Sequence, residues 1–258
     1  METIRVEVDE RGIALLELNR PAVLNVLNVQ LLTELSAALQ ALGEQDEVRA
    51  LIVTGCGRGF CAGADLLPLA DVATREESLG QHISAAMAQY FNPMMALLYN
   101  FPRPVVSAIN GIAAGGGAAI ALCADIVLAA NSAALKVVQG PQLGIAADLG
   151  ANWLLPRMAG RARALGACLL GDTLPAARLL EWGVVWECVP DQQLLTRSSE
   201  LAVRLAKVPA ETVVASRRLI DSATKQSFEA SLEDERQAQH QLCDAPFFSS
   251  AVLGFLAR

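Results

Sequence analysis

The stretch NGIAAGGGAAIALCAD, Asn110 to Asp125, decides how the chain is read. Three successive glycines, Gly115 to Gly117, head an apolar, alanine-rich run that closes on a carboxylate. Each glycine inside a helix costs roughly 1 kcal/mol relative to alanine, so a triplet needs a physical reason. One reason is access to the backbone. The run RPVVSAIN reads as a strand, Gly111 as a turn, and the triplet as the opening of a helix whose first N–H groups have no intrahelical acceptor. Bare amides at a helix start suit a developing negative charge. Tight packing of strand on helix is the plainer account of the same glycines.

A second stretch repeats the pattern. LIVTGCGRGFCAGADL, Leu51 to Leu66, runs from a strand into a glycine-rich turn. Its glycines are spaced G-x-G-x-G rather than G-x-G-x-x-G, and no Lys-Ser or Lys-Thr follows, so neither a dinucleotide fingerprint nor a phosphate loop is present. What remains is a strand exit that bares backbone N–H groups around Ala62, Gly63 and Ala64. Two such turns, each offering one N–H, point to a two-donor oxyanion hole.

The rest of the chain limits what this site can be. Its 258 residues are 53% hydrophobic, with mean hydropathy +0.37 and a formal charge of −7. That charge, without a basic run, argues against a nucleic-acid partner. Val105 to Ala130 is apolar enough to suggest a membrane span, but Asn110, Asp125 and the glycines fit a strand, a turn and a buried helix better, so no membrane association is expected. METIRVEVDE alternates apolar and charged residues and lacks the pattern of a secretory signal, which places the protein in the cytoplasm. The six cysteines show no C-x-x-C pair and sit mostly in apolar runs; they read as reduced, buried thiols, and no metal site is expected.

TIRVEV, IALLELN, RALIVTG, RPVVSAIN, ADIVLAA and VVWECVP read as strands, most of them continuous enough in Val, Ile and Leu to predict sheets buried on both faces. Helical periodicity fills the intervals, with Leu31, Leu32, Leu35, Leu39 and Leu42 on one face of a helix. The fold class is therefore α/β. From about Asp191 the pattern is purely helical and more charged, which sets a core of residues 1–195 against a helical region of residues 196–258 that makes subunit contacts.

GRGFCAGADL and RPVVSAINGIAAGGGAAIALCADIVLAA resemble the two signature segments of the crotonase superfamily, the enoyl-CoA hydratases, isomerases and their relatives. The resemblance runs from LELNRPAVLN, at Leu16, to Arg258. It implies a spiral of ββα units, a C-terminal helical trimerisation region with assembly as a homotrimer or dimer of trimers, and an acyl-CoA thioester substrate with no cofactor apart from its coenzyme A. It also implies that the oxyanion donors are the N–H groups of Ala64 and Gly116, with Ala62, Gly63, Asp65 and Gly115 beside them. Hydratases of this family hold water between two glutamates. Here the first position is Ala119 and the second Gln139 or Gly140, and none of these exchanges a proton with water at neutral pH.

One carboxylate remains nearby. LGIAADLGANWLLPRMAGRARALG is similar to a run in the phenylacetate-pathway ring-1,2-epoxyphenylacetyl-CoA isomerases, in which the aspartate matching Asp148 is the acid/base. Read without that likeness, an aspartate in a loop ahead of a helix is an N-cap. Its neighbours Ala146, Ala147 and Leu149 are apolar, and burial among them would raise its pKa toward neutrality. The expected activity is acyl-CoA isomerisation, moving a double bond or opening a ring epoxide. A hydratase-like enzyme, an aroyl-CoA dehalogenase-like enzyme and a silent acyl-CoA binder are the alternatives. The dehalogenase's supporting histidine and tryptophan fall near Asn92 and Gly140. His82 and His240 read as surface histidines, Trp153 and Trp182 as core, and Asp65 and Asp125 as structural. Relatives carry a basic residue where Val23 stands, and a glycine where Ala151 stands. Arg58, Arg103, Lys136, Arg217, Arg218 and Arg258 are the candidates for gripping the coenzyme A phosphates.

Overall fold

The computed structural model describes residues 1–73 and 78–256. The chain opens with β1 (Ile4–Val8) and β2 (Ile13–Leu18), an antiparallel pair, followed by helix α1 (Val29–Glu44). Three times thereafter, two strands in sequence are followed by helix. β3 (Ala50–Gly55) and β4 (Gly59–Cys61) lead to α2 (Leu67–Ala73), α3 (Leu79–Ala86) and α4 (Asn92–Tyr99). β5 (Val105–Ile109) and β6 (Ile112–Ala114) lead to α5 (Gly116–Leu122). β7 (Ile126–Ala130) and β8 (Ala134–Lys136) lead to a π-helical turn, Gln139–Leu143, and to α6 (Ala151–Ala159) and α7 (Arg161–Leu170). The first strand of each unit joins one sheet and the second strand another, so the chain winds as a spiral of ββα units. After β9 (Leu174–Pro175), α8 (Ala176–Glu181) and β10 (Glu187–Val189), the sheets are complete as β1-β2-β3-β5-β7-β10 and β4-β6-β8-β9.

The six runs read as strands are strands, and β3 and β5 are buried along their whole length, as continuous aliphatic runs between covering layers must be. Burial on both faces fails at β1. That strand pairs only with β2, and of IRVEV only Ile4 is buried, because an edge strand leaves Arg5 and Glu7 to solvent. On α1 the expected leucine face is buried, and Asn28 caps the helix by accepting from Leu31 N–H at 2.9 Å. The second sheet had no sequence signal, since β4, β6 and β8 are three residues each.

Helix α9 (Leu194–Leu205) packs on the first sheet through Leu194, Ser198, Leu201 and Ala202. The boundary expected at 195/196 thus falls inside an element that belongs to the core. α10 (Ala210–Ala223), α11 (Phe228–Cys243) and α12 (Pro246–Leu256) stand farther out, with Ala238 their one buried residue among those described. The cysteine expectation needs correction. Cys61 and Cys123 are buried, but Cys56, Cys168 and Cys188 are half-buried and Cys243 is exposed on α11, where its run faces outward. Trp153 and Trp182 pack against the core, Trp153 edge-on to Tyr99 with ring centroids 5.5 Å apart. No helix among the described residues is long and apolar enough to cross a membrane.

α10 is fastened by Arg217. Its guanidinium donates to both carboxylate oxygens of Asp125, at 2.5 Å each, and to the carbonyls of Phe101 and Arg103. Asp125 in turn accepts from Val105 N–H at 2.7 Å. Asp125 is structural, as expected, and Arg217 is thereby removed from the candidates for holding phosphates. Arg217→Met should lower unfolding free energy by about 3 kcal/mol, since it strands a half-buried carboxylate and two carbonyls. Urea melts of the variant against wild type measure this.

Candidate active site

The two glycine turns meet at one cleft of about 220 Å³. The first turn is stapled from below by Asn25, which is buried. Its Nδ2 donates to the carbonyls of Cys56, Gly59 and Phe60, and its Oδ1 accepts from Arg20 N–H at 2.7 Å. Asn110 holds the same turn from the other side, accepting from Gly55 N–H and donating to the Gly57 carbonyl. Beyond β4, Leu27 forms a parallel bridge with Ala64. Leu27 N–H donates to the Gly63 carbonyl at 2.8 Å, and Asp65 N–H donates to the Leu27 carbonyl at 2.9 Å. Successive groups of an extended chain face opposite sides, so this pairing engages the neighbours of Ala64 and turns its own N–H away from Leu27. Among the described residues that N–H has no acceptor.

The glycine triplet divides its work. Gly115, at φ +53°, makes the turn into α5 and donates its N–H to the Lys136 carbonyl at 2.9 Å. Gly116 is the first helical residue, and its N–H has no acceptor among the described residues. Gly117 serves packing, because a Cβ there would stand 2.2 Å from the Cys61 carbonyl. Both accounts of the triplet are therefore true, at different residues. The turns touch: a Cβ on Gly63 would lie 3.5 Å from Gly116 N.

Asp148 sits across the cleft in the loop before α6. It is half-buried between Ala147 and Leu149, which are buried. Burial pushes its pKa up, an N–H from Gln139 pulls it down, and the net position is above the ordinary aspartate range. Gln139 Nε2 donates to Asp148 Oδ1 at 3.0 Å. The N-cap role is not taken up by this side chain: Gly150, at φ +88°, precedes α6, and Ala151 N–H donates to the Asp148 backbone carbonyl. Leu149 has φ +52°, a left-handed conformation costing a branched residue roughly 1–2 kcal/mol. Its burial and a hydrogen bond from Asn152 to the Ala147 carbonyl hold it there.

Ala62, Gly63, Ala64, Asp65, Gly115, Gly116, Gln139 and Asp148 all line the cleft. Ala119 and Gly140 do not. Ala119 is fully buried on α5, and a side chain on Gly140 would run into the Cys168 carbonyl of α7, 2.4 Å away, so of the two alternatives for the second position Gln139 faces the cleft. Asp65 faces Arg20 at 3.5 Å and accepts from Leu67 N–H. His82 is exposed on α3 but also lines the cleft, which corrects its reading as surface alone; His240 is exposed on α11. Nothing in local sequence marks His82, because only tertiary packing lays α3 over the turns. Of the basic candidates, Arg58, Arg103, Lys136, Arg217 and Arg218 do not line the cleft, and Arg258 lies outside the described residues. The walls are apolar, with Leu27, Ile83, Phe91, Leu143, Ile145 and Leu149. Two unpaired amides, and a half-buried carboxylate at Asp148 that, unlike Asp65, has no guanidinium partner, can hold an oxygen that gains negative charge and move a proton beside it.

The chain is similar to known proteins along nearly its whole length. The family model for enoyl-CoA hydratase/isomerase matches residues 9–257. A 1,2-epoxyphenylacetyl-CoA isomerase of Escherichia coli K12 is 38% identical over 249 residues, covering 96% of this chain and 94% of that protein. A protein of Rhodobacter capsulatus named as a probable enoyl-CoA hydratase is 36% identical, covering 99% and 95%. The crystal structure of an enoyl-CoA hydratase from Bacillus anthracis superposes with a TM-score of 0.89 at 29% identity, covering 99% of this chain and 96% of that one.

The raised pKa of Asp148 carries a stability consequence. Between the unfolded and the native pKa the folded chain binds more protons, so the carboxyl's contribution is fully present below the ordinary aspartate value and is lost as pH rises through the native one. Asp148→Asn should therefore be more stable than wild type at neutral pH, and the gap should close as pH falls below the ordinary aspartate range. Thermal melts across pH 3 to 8 of both proteins, on the order of one scan per unit, check this.

Proposed function

The chain belongs to the enoyl-CoA hydratase/isomerase family, with the crotonase-like spiral that its glycine turns suggest, and from that premise we propose that it is an acyl-CoA isomerase with Asp148 as its acid/base. The observation that carries this reading is the state of the carboxylates in the cleft. Asp65 faces a guanidinium, whereas Asp148 faces only an amide and sits desolvated. The positions where hydratases of the family carry glutamates hold Ala119, buried in the core, and Gln139. A water has no pair of carboxylates to hold it, whereas one carboxylate suffices to move a proton between two carbons.

The thioester oxygen would accept from the N–H groups of Ala64 and Gly116. Asp148 takes a proton from the carbon α to the thioester of a 3-enoyl chain; the electron pair flows into the carbonyl, and the resulting dienolate oxygen gains negative charge. Asp148 then returns the proton to the γ carbon, leaving a conjugated 2-enoyl thioester. Each preorganised donor contributes about 3 kcal/mol and the positioned base about 3–5 kcal/mol. The first turn of α5 adds favourable potential at the same oxygen.

The apolar walls suit a hydrocarbon acyl group, and the likeness to the Escherichia coli isomerase favours a ring-derived one whose epoxide opens on the same constellation. Coenzyme A enters as part of the substrate. The exposed Phe228, Phe247, Phe248, Leu253 and Phe255 on α11 and α12 favour assembly through the C-terminal helices, as a homotrimer or dimer of trimers. A cytoplasmic location goes with this reading.

Asp148→Asn should slow conversion of 3-hexenoyl-CoA to the conjugated isomer by about 10³-fold while leaving affinity for a saturated acyl-CoA nearly unchanged. Ultraviolet absorbance of the conjugated thioester and calorimetric titration read the two effects, with 1,2-epoxyphenylacetyl-CoA as the ring substrate in parallel. Full activity in the variant, or a mass gain equal to water on a 2-enoyl-CoA with wild type, would overturn the reading.

A further inference from the structure

Gln139 is 4% exposed, on the π-helical turn that follows β8, and its amide is half used. Nε2 donates to Asp148 Oδ1 at 3.0 Å, while Oε1 is buried with no donor among the described residues. Buried acceptors nearly always find partners, so a free one lining a reactive cleft requires an explanation. The backbone beneath it is held in place. The Gln139 carbonyl accepts from Ile145 N–H at 3.3 Å, and Gly140 packs against the Cys168 carbonyl with no room for a side chain. Nε2 also lies 3.8 Å from where a Cβ on Gly115 would stand, so the amide fills the space between the glycine turn and the acid.

An ionised carboxylate only accepts hydrogen bonds, whereas a carboxylic acid also donates one. A base that shuttles a proton passes through both forms in each turnover, and a fixed donor supports only the first. A glutamine amide carries an N–H and an oxygen on one planar group, and its terminal torsion is soft and roughly two-fold. We propose that Gln139 is the positioning residue for Asp148, its amide turning about χ3 to offer an N–H to the carboxylate and its oxygen to the carboxylic acid. The unpaired Oε1 is the half of the device that waits for the proton. This rests on the reading of Asp148 as the shuttle. The other titratable groups around the cleft, among the described residues, are Asp65 facing Arg20, His82 on α3, and Cys168 on α7 behind Gly140.

The test uses Gln139→Met, which keeps the bulk and removes both polar ends, and Gln139→Glu, which sets a second carboxylate beside Asp148. Met also removes the unpaired oxygen, so folding should not suffer. Two readouts are taken on wild type, both variants and Asp148→Asn: the carboxyl titration of Asp148 by difference infrared spectroscopy, and kcat and KM for 3-hexenoyl-CoA against pH. Removing the N–H that favours the carboxylate should move the titration to higher pH in Gln139→Met, and like charge should move it further in Gln139→Glu. The acidic limb of kcat should follow, because the base must be ionised, with kcat down about tenfold and KM little changed. If Asp148→Asn is inactive but Gln139→Met keeps the wild-type titration and kcat, the positioning role falls alone. If Asp148→Asn retains full activity, the shuttle falls and takes this role with it.

Discussion

The site depends on one pairing between backbone segments: Leu27 bridging the chain on either side of Ala64. It consumes the Gly63 carbonyl and the Asp65 amide and leaves the amide between them without an acceptor. Ala64 is exposed, and the flanking hydrogen bonds, the Asn25 staple and the packing of Gly117 against the Cys61 carbonyl fix the backbone around its N–H. The Gly116 amide is bare for a different reason, as the first residue of a helix. A pairing of extended segments and a helix start thus put two unpaired donors on one cleft, both of them backbone groups.

The acid is built on the opposite principle. Its position comes from a strained loop, with Leu149 in a left-handed conformation and buried against Gly116, where even a Cβ would stand 2.7 Å from Leu149 Cδ1. That contact ties the two halves of the site together: the residue that allows approach to the helix start also receives the side chain anchoring the acid's loop. Such a loop, and a carboxyl kept above its ordinary pKa, draw on stability that the leucine-rich core and the Arg217 clasp supply elsewhere.

Much of this was legible in the residues. Continuous Val, Ile and Leu runs mark β3 and β5, the leucine spacing marks α1, the two glycine turns mark where backbone amides are bared, and the family resemblance narrows these to Ala64 and Gly116. Asp148 is picked out by the family resemblance, and its apolar neighbours point to the burial that raises its pKa. The parts that were hidden share one cause, which is dependence on distant segments. The strands of the second sheet are too short to show a period. The Asn25 staple and the Leu27 bridge join residues some thirty or more apart, and His82 reaches the cleft only because α3 folds over it. The sequence leaves Gln139 and Gly140 as alternatives for facing the cleft, and the Cys168 carbonyl of α7 leaves no room for a side chain at Gly140.

The same contrast bears on how chemistry diverges on this architecture. The two donors are backbone groups, held by the Leu27 bridge, the glycine turns and the Asn25 and Asn110 side chains. Gln139 and Asp148 sit between β8 and α6, outside the sheets. Gln139 stands beside Asp148 as an amide partner rather than a second carboxylate. With two carboxylates facing a common space, repulsion would separate their pKa values and a water could be held between them. With an amide beside Asp148 in place of a second carboxylate, its pKa is raised by burial and lowered by hydrogen bonds from Gln139 and from its own backbone N–H.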